Sequence, residues 1–275
     1  MSTFFYACLL LPNLSITDPE TLYAATTQVN CPDTSYRKST SNVKSAFVHH
    51  IIDGDTLVLT DGKKVRLLGI NTPEVSFQKR QQSQPLGISA RSRLQEMLPD
   101  GSQVTLIFDQ RKKDRYKRLL AFVRYKNNEG VEIDTGEVLL REGLAWQYLI
   151  LPNHLCWQHY RQAETKAYEK QSGVWDKRNY QTERAATTTL SNQKRQYKRL
   201  LGTVTATDHS AKNYWFIIDD TVWLGIARKD THYFGSEIGS IKKGTSLLIS
   251  GWMYRSYQKL RIKARHPQSI RIFQD

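Results

Sequence analysis

Hydrophobic and polar positions alternate in short runs along most of the chain, which predicts strands rather than long helices. The run Val48–Leu59 alternates around a kink with the sequence Asp-Gly-Asp-Thr, and Asp61-Gly62 is a strong signal for a two-residue hairpin turn. Lys64–Ile70 then reads as the returning strand. Asp55 is therefore expected on one strand, Arg66 on its partner, and the Asn-Thr-Pro-Glu segment 71–74 where the partner leaves the sheet.

The next hundred residues mix strands with amphipathic helices. Helical spacing predicts three helices, two of which end at the glycines 143 and 173: Gly87–Leu98, Thr135–Glu142 and Trp157–Ser172. β-type patterns predict three strands: Val104–Asp109, Leu119–Lys126 and Gly130–Ile133. A polar, basic loop, Val75–Pro85, is expected beside the 71–74 segment.

The last part of the chain has a different character. A polar and basic stretch, 179–199, reads as a linker, and from Leu200 the pattern predicts short strands separated by turns: Leu201–Thr205, Tyr214–Asp219, Thr221–Ala227, Ser246–Met253, Lys259–Ala264 and Ile270–Phe273. A helical turn is expected near Phe234–Ile241. Strands of this kind suggest a second small barrel. The predicted organisation is a lead-in at 1–44, a first domain at 45–178, the linker, and a second domain at 200–275.

Charge narrows the class of partner. The chain has 275 residues, 40 Lys and Arg against 26 Asp and Glu, and a net charge of +14. A polyanion is the natural partner of such a surface, and nucleic acid is favoured over a membrane because no basic amphipathic helix stands out. The alternative is a solvated basic surface that keeps the protein soluble. We expect a monomer without stable membrane insertion.

The N-terminal residues suggest export. Phe4–Leu14 is an apolar run too short to span a bilayer, it resembles the apolar region of a signal peptide, and Leu22–Ala25 offers small residues for cleavage. The basic start of a signal peptide is missing, so a buried N-terminal element is the alternative. Removal of Cys8 would leave Cys31 and Cys156, which form a disulfide in the simplest exported protein, whereas two free thiols are the alternative.

The first predicted hairpin also carries candidate chemistry. Asp55, the Asn71 side-chain oxygen and nearby carbonyls are hard oxygen ligands suited to Ca²⁺ or Mg²⁺, and Glu74 is close enough in sequence to activate a water. Arg66 offers bidentate contacts to a phosphate, and Arg118 lies at the entry to a strand that can hold it rigidly. The alternative is that these residues merely form turns, since Asp, Gly, Asn and Pro are common turn formers.

Five motifs in order resemble the staphylococcal nuclease (thermonuclease) family. They are DGDT at 53–56, RLLGINTPE at 66–74, DRYKR at 114–118, GLAW at 143–146 and GVW at 173–175. The resemblance covers Val48–Trp175, and it implies a mainly β, α+β fold: an OB-type barrel with three helices, followed here by the second OB-like barrel. It also implies Ca²⁺-dependent endonuclease activity on DNA and RNA with 3′-phosphate products, with Mg²⁺ or Mn²⁺ as other metals.

The resemblance assigns roles residue by residue. The metal ligands are the Asp55 carboxylate and the Thr72 carbonyl, with Asn71 where the archetype has a second carboxylate. Glu74 matches the general base, Arg66 and Arg118 match the phosphate-binding arginines, and Asp53 and Asp114 match outer acidic positions.

Three departures from the family pattern affect these roles. Asn71 removes a negative charge, which should weaken a Ca²⁺ site and alter metal choice more than the reaction class. Lys117 replaces an active-site glycine, and Leu149 and Leu151 stand where the archetype has tyrosines, so no role is carried onto them.

Nucleic acid is expected to contact two further sets of residues. Beside the site these are Arg115, Tyr116 and Lys117. On the second barrel, stacking and basic residues are candidates, with barrel core as the alternative: Trp215, Trp223, Trp252, Tyr254, Tyr257, Lys259 and Arg261.

Three functional hypotheses follow. The first is an active, exported, metal-dependent nuclease. The second is a nucleic-acid-binding protein on tandem OB-like barrels whose nuclease site is weak or inactive, and only Asn71 favours it. The third is a structural or protein-interaction module, which the basic charge disfavours.

Overall fold

The structure is a computed structural model that describes residue 31 and residues 42–76, 82–190 and 195–273. Its first half contains eight strands and three α-helices within these ranges: β1 (Val43–Asp53), β2 (Thr56–Leu59), β3 (Lys64–Leu67), β4 (Ile70–Asn71), α1 (Gly87–Met97), β5 (Gln103–Lys113), β6 (Leu119–Lys126), β7 (Glu132–Asp134), α2 (Thr135–Arg141), β8 (Trp146–Gln147) and α3 (Trp157–Glu169).

Five of these strands close into a barrel. The sheet order is β3-β2-β1-β5-β6-β7, and a parallel pairing of β3 with β6 joins the two ends around the β1, β2, β3, β6, β5 circuit. The predicted hairpin at Asp61-Gly62 connects β2 to β3, and Gly62 takes the positive φ of 77° that such a turn requires. Inward-facing aliphatic side chains of these strands form the core with α1 and α2.

The second half adds a smaller barrel. Its elements are β9 (Glu183–Arg184), β10 (Gln196–His209), β11 (Asn213–Ile218), β12 (Val222–Ala227), α4 (Glu237–Ser240), β13 (Ser246–Ser256), β14 (Lys259–Ala264) and β15 (Ile270–Phe273). Neighbouring pairs run β10-β11-β12-β14-β13, and β13 closes the circuit onto β10. The β12–β14 pairing is parallel, as is β3–β6 in the first barrel, so the two barrels share one strand arrangement. The fold is therefore the predicted mainly β class with two closed barrels.

The two barrels pack against each other through a small apolar cluster. Ala167 of α3, Val174 and Trp175 bury against Leu248 of β13. Arg199 of β10 is buried beside them, and its guanidinium lies 4.7 Å from the ring centre of Trp175. Because the cluster draws on both halves, each barrel covers apolar surface of the other.

A disulfide and a set of buried polar contacts anchor α2 and α3. Cys31 and Cys156 are bonded, with 5.4 Å between their α-carbons, which is the pairing considered from the sequence. Asp134 caps α2 by accepting a hydrogen bond from the Glu137 amide at 3.1 Å, and it also accepts the Tyr160 hydroxyl of α3 at 2.6 Å. This one carboxylate therefore ties α3 to the start of α2.

Several elements differ from the sequence-based prediction. Asp55 lies in the turn between β1 and β2 rather than on a strand, because Gly54 and Asp55 reverse the chain there. The predicted strand Lys64–Ile70 is interrupted after Leu67, and Gly69 takes a φ of 81°. The stretch 179–199 is partly structured, since it contains β9 and the start of β10, and Arg199 is buried.

The predicted signal-like segment and residues 77–81 of the basic loop lie outside the described residues. Within the described ranges, no helix combines the length and apolar character needed to cross a membrane.

Candidate active site

The turn between β1 and β2 carries the first carboxylate. Asp55 is buried, and its amide donates to Asp53 Oδ1 at 3.0 Å. A Cβ on Gly54 would lie 2.7 Å from the Ala90 Cβ and 2.8 Å from the Thr72 side chain. Only glycine lets this turn press against α1 and the segment that follows β4, and this contact brings Asp55 to Thr72.

Four predicted residues meet at this point. The Asp55 carboxylate accepts the Thr72 amide at 2.9 Å and lies 2.9 Å from Arg66 Nη2. The same nitrogen donates to Asn71 Oδ1 at 2.8 Å, while Asn71 Nδ2 donates to the Thr72 carbonyl at 3.2 Å. The structure therefore brings both side-chain oxygens of the expected ligand set to one arginine nitrogen, and the Asn71 amide links them to the main-chain carbonyl of Thr72.

Arg66 is more constrained than the sequence predicts. Its Nη1 donates to the carbonyls of Leu67 and Ile70 at 2.8 and 2.9 Å, and only 6% of the residue is exposed. Both terminal nitrogens thus already bind protein acceptors, whereas the sequence suggested a fork free for phosphate. A phosphate at Arg66 has to share or replace the contacts with Asp55 and Asn71.

Glu74 is held by its main chain. Its amide donates to Gln84 Oε1 at 3.0 Å, and its carbonyl accepts the Gln84 amide at 2.9 Å. A Cβ on Gly87 at the start of α1 would lie 2.7 Å from the Glu74 carbonyl oxygen. Gln84 and Gly87 therefore position Glu74 and leave its side chain exposed to solvent. Neither Gln84 nor Gly87 is predicted as a site residue from the sequence, because neither belongs to a catalytic motif.

The loop before β6 positions the second arginine. Asp114 Oδ2 accepts Arg118 Nε at 2.8 Å, and Asp114 Oδ1 accepts the amides of Tyr116 and Arg118 at 2.8 and 3.0 Å. Lys117 lies between them with a φ of 65°, in the left-handed region that glycine occupies most easily. This geometry explains why a glycine is suited to that position.

The acidic and basic groups interact electrostatically. Partial burial raises the pKa of Glu74, the charge of Asp55 raises it further, and Arg66 and Arg118 oppose the shift. Burial raises the pKa of Asp53 to about 6, and the neighbouring Asp55 charge adds to that effect. Excess negative charge is thus concentrated around Asp55, while both arginines are near enough to act on Glu74.

This donor set fits a hard divalent cation. No group of three or more His, Cys, Asp and Glu side chains surrounds a metal position within the described ranges. The candidate ligands are instead one carboxylate, one amide oxygen and one main-chain carbonyl, from Asp55, Asn71 and Thr72. Oxygen donors of this kind suit Ca²⁺ or Mg²⁺, and a cation would offset the clustered negative charge.

The remaining predicted contact residues divide between two places. Arg115 and Tyr116 lie on the Arg118 loop, where Tyr116 is 64% exposed and the Arg115 guanidinium lies 4.7 Å from its ring centre. The second-barrel candidates belong to a separate surface: Trp252 and Tyr254 on β13, and Lys259 and Arg261 on β14.

Comparison with known proteins places this site in a family context. The model of the staphylococcal nuclease homologue family matches residues 64–177, a range that includes both arginines and Glu74. A thermonuclease of Staphylococcus intermedius is 33% identical over 150 residues, which cover 53% of this chain and 85% of that protein. The endonuclease YncB of Bacillus subtilis is 35% identical over 158 residues, which cover 55% of this chain and 71% of that protein. A thermonuclease of Staphylococcus hyicus is 33% identical over 140 residues, or 50% and 79% of the two chains.

Proposed function

Because this chain belongs to the staphylococcal nuclease family and is a nuclease, we propose that it hydrolyses phosphodiester bonds of DNA, RNA or both in a metal-dependent reaction that leaves 3′-phosphate ends. The observation that carries the proposal is the convergence of Arg66, Glu74 and Arg118 on the oxygen cluster of Asp55, Asn71 and Thr72.

Asp55, Asn71 and Thr72 would hold the cation. When bound, a Ca²⁺-type ion supplies positive charge that polarises a phosphoryl oxygen. The Asp55 contact with Arg66 and the Asn71 contact with Thr72 keep these oxygens together before any ligand arrives.

Glu74 acts as the general base. Its carboxylate is solvent-accessible, and Gln84 holds its main chain on both sides. A raised pKa brings a glutamate closer to working pH, which makes it a better proton acceptor than an ordinary glutamate. Activity then falls as the pH drops through the raised pKa of Glu74, because the protonated side chain cannot accept a proton from water.

The two arginines stabilise charge on the phosphate. Arg118 is ordered by Asp114, so its guanidinium loses little freedom when it binds an anion. Arg66 is fixed by the Leu67 and Ile70 carbonyls and shares its other edge with the ligand oxygens. Removal of either guanidinium should raise the barrier by about 3–4 kcal/mol, the scale of a lost oxyanion donor.

The decisive experiment measures cleavage of a labelled single-stranded DNA by purified protein with Ca²⁺, with Mg²⁺ and with EDTA. Glu74→Gln should remove cleavage, whereas Glu129→Gln, the same change at an exposed hairpin residue, should not. Failure to cleave with any metal, together with retained DNA binding, would support the binding-protein alternative and implicate Asn71.

We further infer that the protein works in an oxidising compartment, outside the cytoplasm. The Cys31–Cys156 disulfide supports this location, because such bonds persist mainly in exported proteins. Thiol labelling of protein taken from its native host, with and without prior reduction, tests it. Reactive thiols at both positions before reduction would contradict the inference.

A further inference from the structure

The outer face of the second barrel carries aromatic and basic side chains in register. Ile217 pairs with Trp223, Trp223 with Arg261, and Arg261 with Tyr254, so one row crosses β11, β12, β14 and β13. Their strand neighbours, such as Leu224, point into the core. Because side chains alternate across a strand, the whole row projects to the outside.

The cations of this face rest on aromatic rings. Lys259 Nζ lies 3.4 Å from the ring centre of Trp223, and the Arg261 guanidinium lies 4.7 Å from that of Trp215 and 5.5 Å from that of Tyr257. Such contacts hold a cation in place without neutralising it.

Lys259 and Arg261 form no ion pair with a carboxylate in the part of the chain that the structure describes. Within the described ranges, no carboxylate lies within ion-pair distance of Lys259 or Arg261, although other basic residues of the barrel, such as Arg265, form such pairs. Arg261 Nε is buried without a hydrogen-bond partner. Residues 195–273 contain fourteen lysines and arginines against five aspartates and glutamates, so the face lies on a strongly basic module.

Exposed aromatic rings extend this surface: the Tyr257 ring centre lies 5.5 Å from the Arg261 guanidinium, and Trp252 is two residues from Tyr254 on the same side of β13. Three of the large hydrophobic residues described as exposed belong to the second barrel: Tyr197 (41%), Trp252 (54%) and Tyr257 (87%). Tyr197 pairs with Trp252 across β10 and β13, with ring centres 5.8 Å apart, and Tyr257 lies in the turn beside Lys259. Rings that remain in solvent next to unpaired cations are available to a partner that offers both flat apolar surfaces and negative charge.

We propose that this surface, the aromatic–cationic face (Trp223, Trp252, Tyr254, Tyr257, Lys259 and Arg261), binds single-stranded nucleic acid. Unpaired bases stack on the exposed rings while phosphates contact Lys259 and Arg261. A duplex keeps its bases stacked inside and offers this face only phosphates. Trp223 lies on the third strand of the barrel and Tyr257 in the turn between the fourth and fifth strands, two of the places where OB-type barrels bind oligonucleotides. Binding at this face is separate from the cleavage reaction and does not depend on it.

The test measures binding separately from catalysis. All proteins carry Glu74→Gln, and the affinity for a fluorescein-labelled twelve-residue oligothymidylate is measured by fluorescence anisotropy in EDTA over a series of salt concentrations. Two variants probe the face: Trp252→Ala removes a ring, and the double change Lys259→Gln with Arg261→Gln removes two charges. Lys242→Gln with Lys243→Gln is the control, because it makes the same charge change on an exposed loop away from the face.

Distinct effects are expected from the two changes. Trp252→Ala should weaken binding on the order of tenfold with little change in salt dependence, because it removes one stacking interaction. The charge variant should make the slope of log K against log salt shallower by about 0.7 for each phosphate that is no longer neutralised. The control should leave the affinity within about twofold and should retain a similar salt slope.

Several results would overturn the proposal. Parent-like binding by both face variants, each with a parent-like melting temperature, would show that oligonucleotide binds elsewhere. Equal competition by inorganic polyphosphate of the same charge would reduce the face to a general polyanion site, of the kind that also attracts acidic proteins or lipid headgroups. Equal weakening of single-stranded and duplex binding by Trp252→Ala would exclude stacking.

Discussion

Replacing Asn71 by aspartate restores a second carboxylate next to Asp55, and the structure sets the size of the effect. The Asn71 and Asp55 oxygens lie 2.8 and 2.9 Å from the same Arg66 nitrogen, so they are at most about 5.7 Å apart. Two unit charges at that distance interact by about 3 kcal/mol at an effective dielectric constant of about 20. A divalent cation between them carries twice the charge at about half the distance, so the new carboxylate would attract it about four times as strongly, by roughly 12 kcal/mol, and most of this is offset by the hydration that the ion and the carboxylate lose.

Two effects reduce this gain. Aspartate cannot donate to the Thr72 carbonyl, so removal of the 3.2 Å hydrogen bond from Asn71 Nδ2 costs about 1 kcal/mol. Arg66 also neutralises part of the new charge. We therefore expect a net gain in metal binding of about 1.5–3 kcal/mol, which corresponds to a roughly 10- to 100-fold lower metal requirement. Without metal, the attraction of the new carboxylate to Arg66, 2.8 Å away, offsets its repulsion from Asp55, so the stability of the protein should change little.

The assay titrates Ca²⁺ against the initial cleavage rate and, independently, against the melting temperature. Asn71→Asp should shift both midpoints to lower Ca²⁺, and in EDTA it should melt close to the parent protein, because the new carboxylate pairs with Arg66. Asn128→Asp, the same change at an exposed turn, should shift neither. A folded Asn71→Asp protein whose two midpoints match those of the parent would refute the assignment of residue 71 as a metal ligand.

Three further predictions follow from the geometry. Lys117→Gly should raise the free energy of unfolding in urea by about 0.5–1 kcal/mol. Glycine removes the steric cost of the left-handed backbone at residue 117, and this gain exceeds the extra conformational entropy that glycine gives the unfolded chain; a lower free energy of unfolding would contradict this. Gln84→Ala should lower kcat roughly 10-fold or more with KM and melting temperature nearly unchanged, since it frees Glu74 without touching substrate; an equal rise in KM would argue against positioning. Burial lowers the pKa of His266 to about 3, with the positive charge of nearby His154 and Arg161 adding to the effect. The unfolded chain binds a proton at this histidine near pH 6.5, whereas the folded protein binds it only near pH 3. The neutral His266 therefore contributes a free energy of folding that is fully present above pH 6.5 and is lost as the pH falls towards 3. His266→Asn, which keeps an acceptor for the Gln268 amide, should flatten the profile of melting temperature against pH in that range.

The sequence predicts correctly those turns and strands whose signals come from neighbouring residues. The Asp61-Gly62 turn, the β6 strand Leu119–Lys126 and the β14 strand Lys259–Ala264 were all predicted, the two strands with their observed bounds. Each has a period-2 pattern or a turn signal that neighbouring residues alone determine. The predicted position of Asp55 was wrong because the same alternation fits a continuous strand with a kink and two strands joined by a tight turn, and only the pairing of β1 with β2 distinguishes them.

Residues that act across long sequence distances could not be read from the pattern. Gln84 is ten residues from Glu74, and an isolated glutamine in a polar loop has no signature that distinguishes it from a solvated side chain. Arg199 reads as one of several basic residues of a linker, yet it is buried between rings from the other half of the chain. Both terminal nitrogens of Arg66 bind protein acceptors, and this too depends on a contact outside its own strand, because β4 brings the Ile70 carbonyl back to the Arg66 guanidinium.

Contacts between the two barrels mean that removal of the second barrel also disturbs the first. Arg271 of β15 lies 3.3 Å from the Glu164 carboxylate of α3, and Gln268 donates to the Gln147 carbonyl at 2.6 Å. Burial raises the pKa of Glu164, so loss of Arg271 would leave a buried acid without its cation, beside apolar surface that Leu248 no longer covers. Deletion of residues 200–275 therefore perturbs α3, and through the Tyr160 hydroxyl and Asp134 it perturbs the start of α2. A loss of activity on truncation would therefore combine weaker nucleic-acid binding with a damaged nuclease barrel. Point variants on the aromatic–cationic face leave Leu248, Gln268 and Arg271 in place, so they separate the two effects.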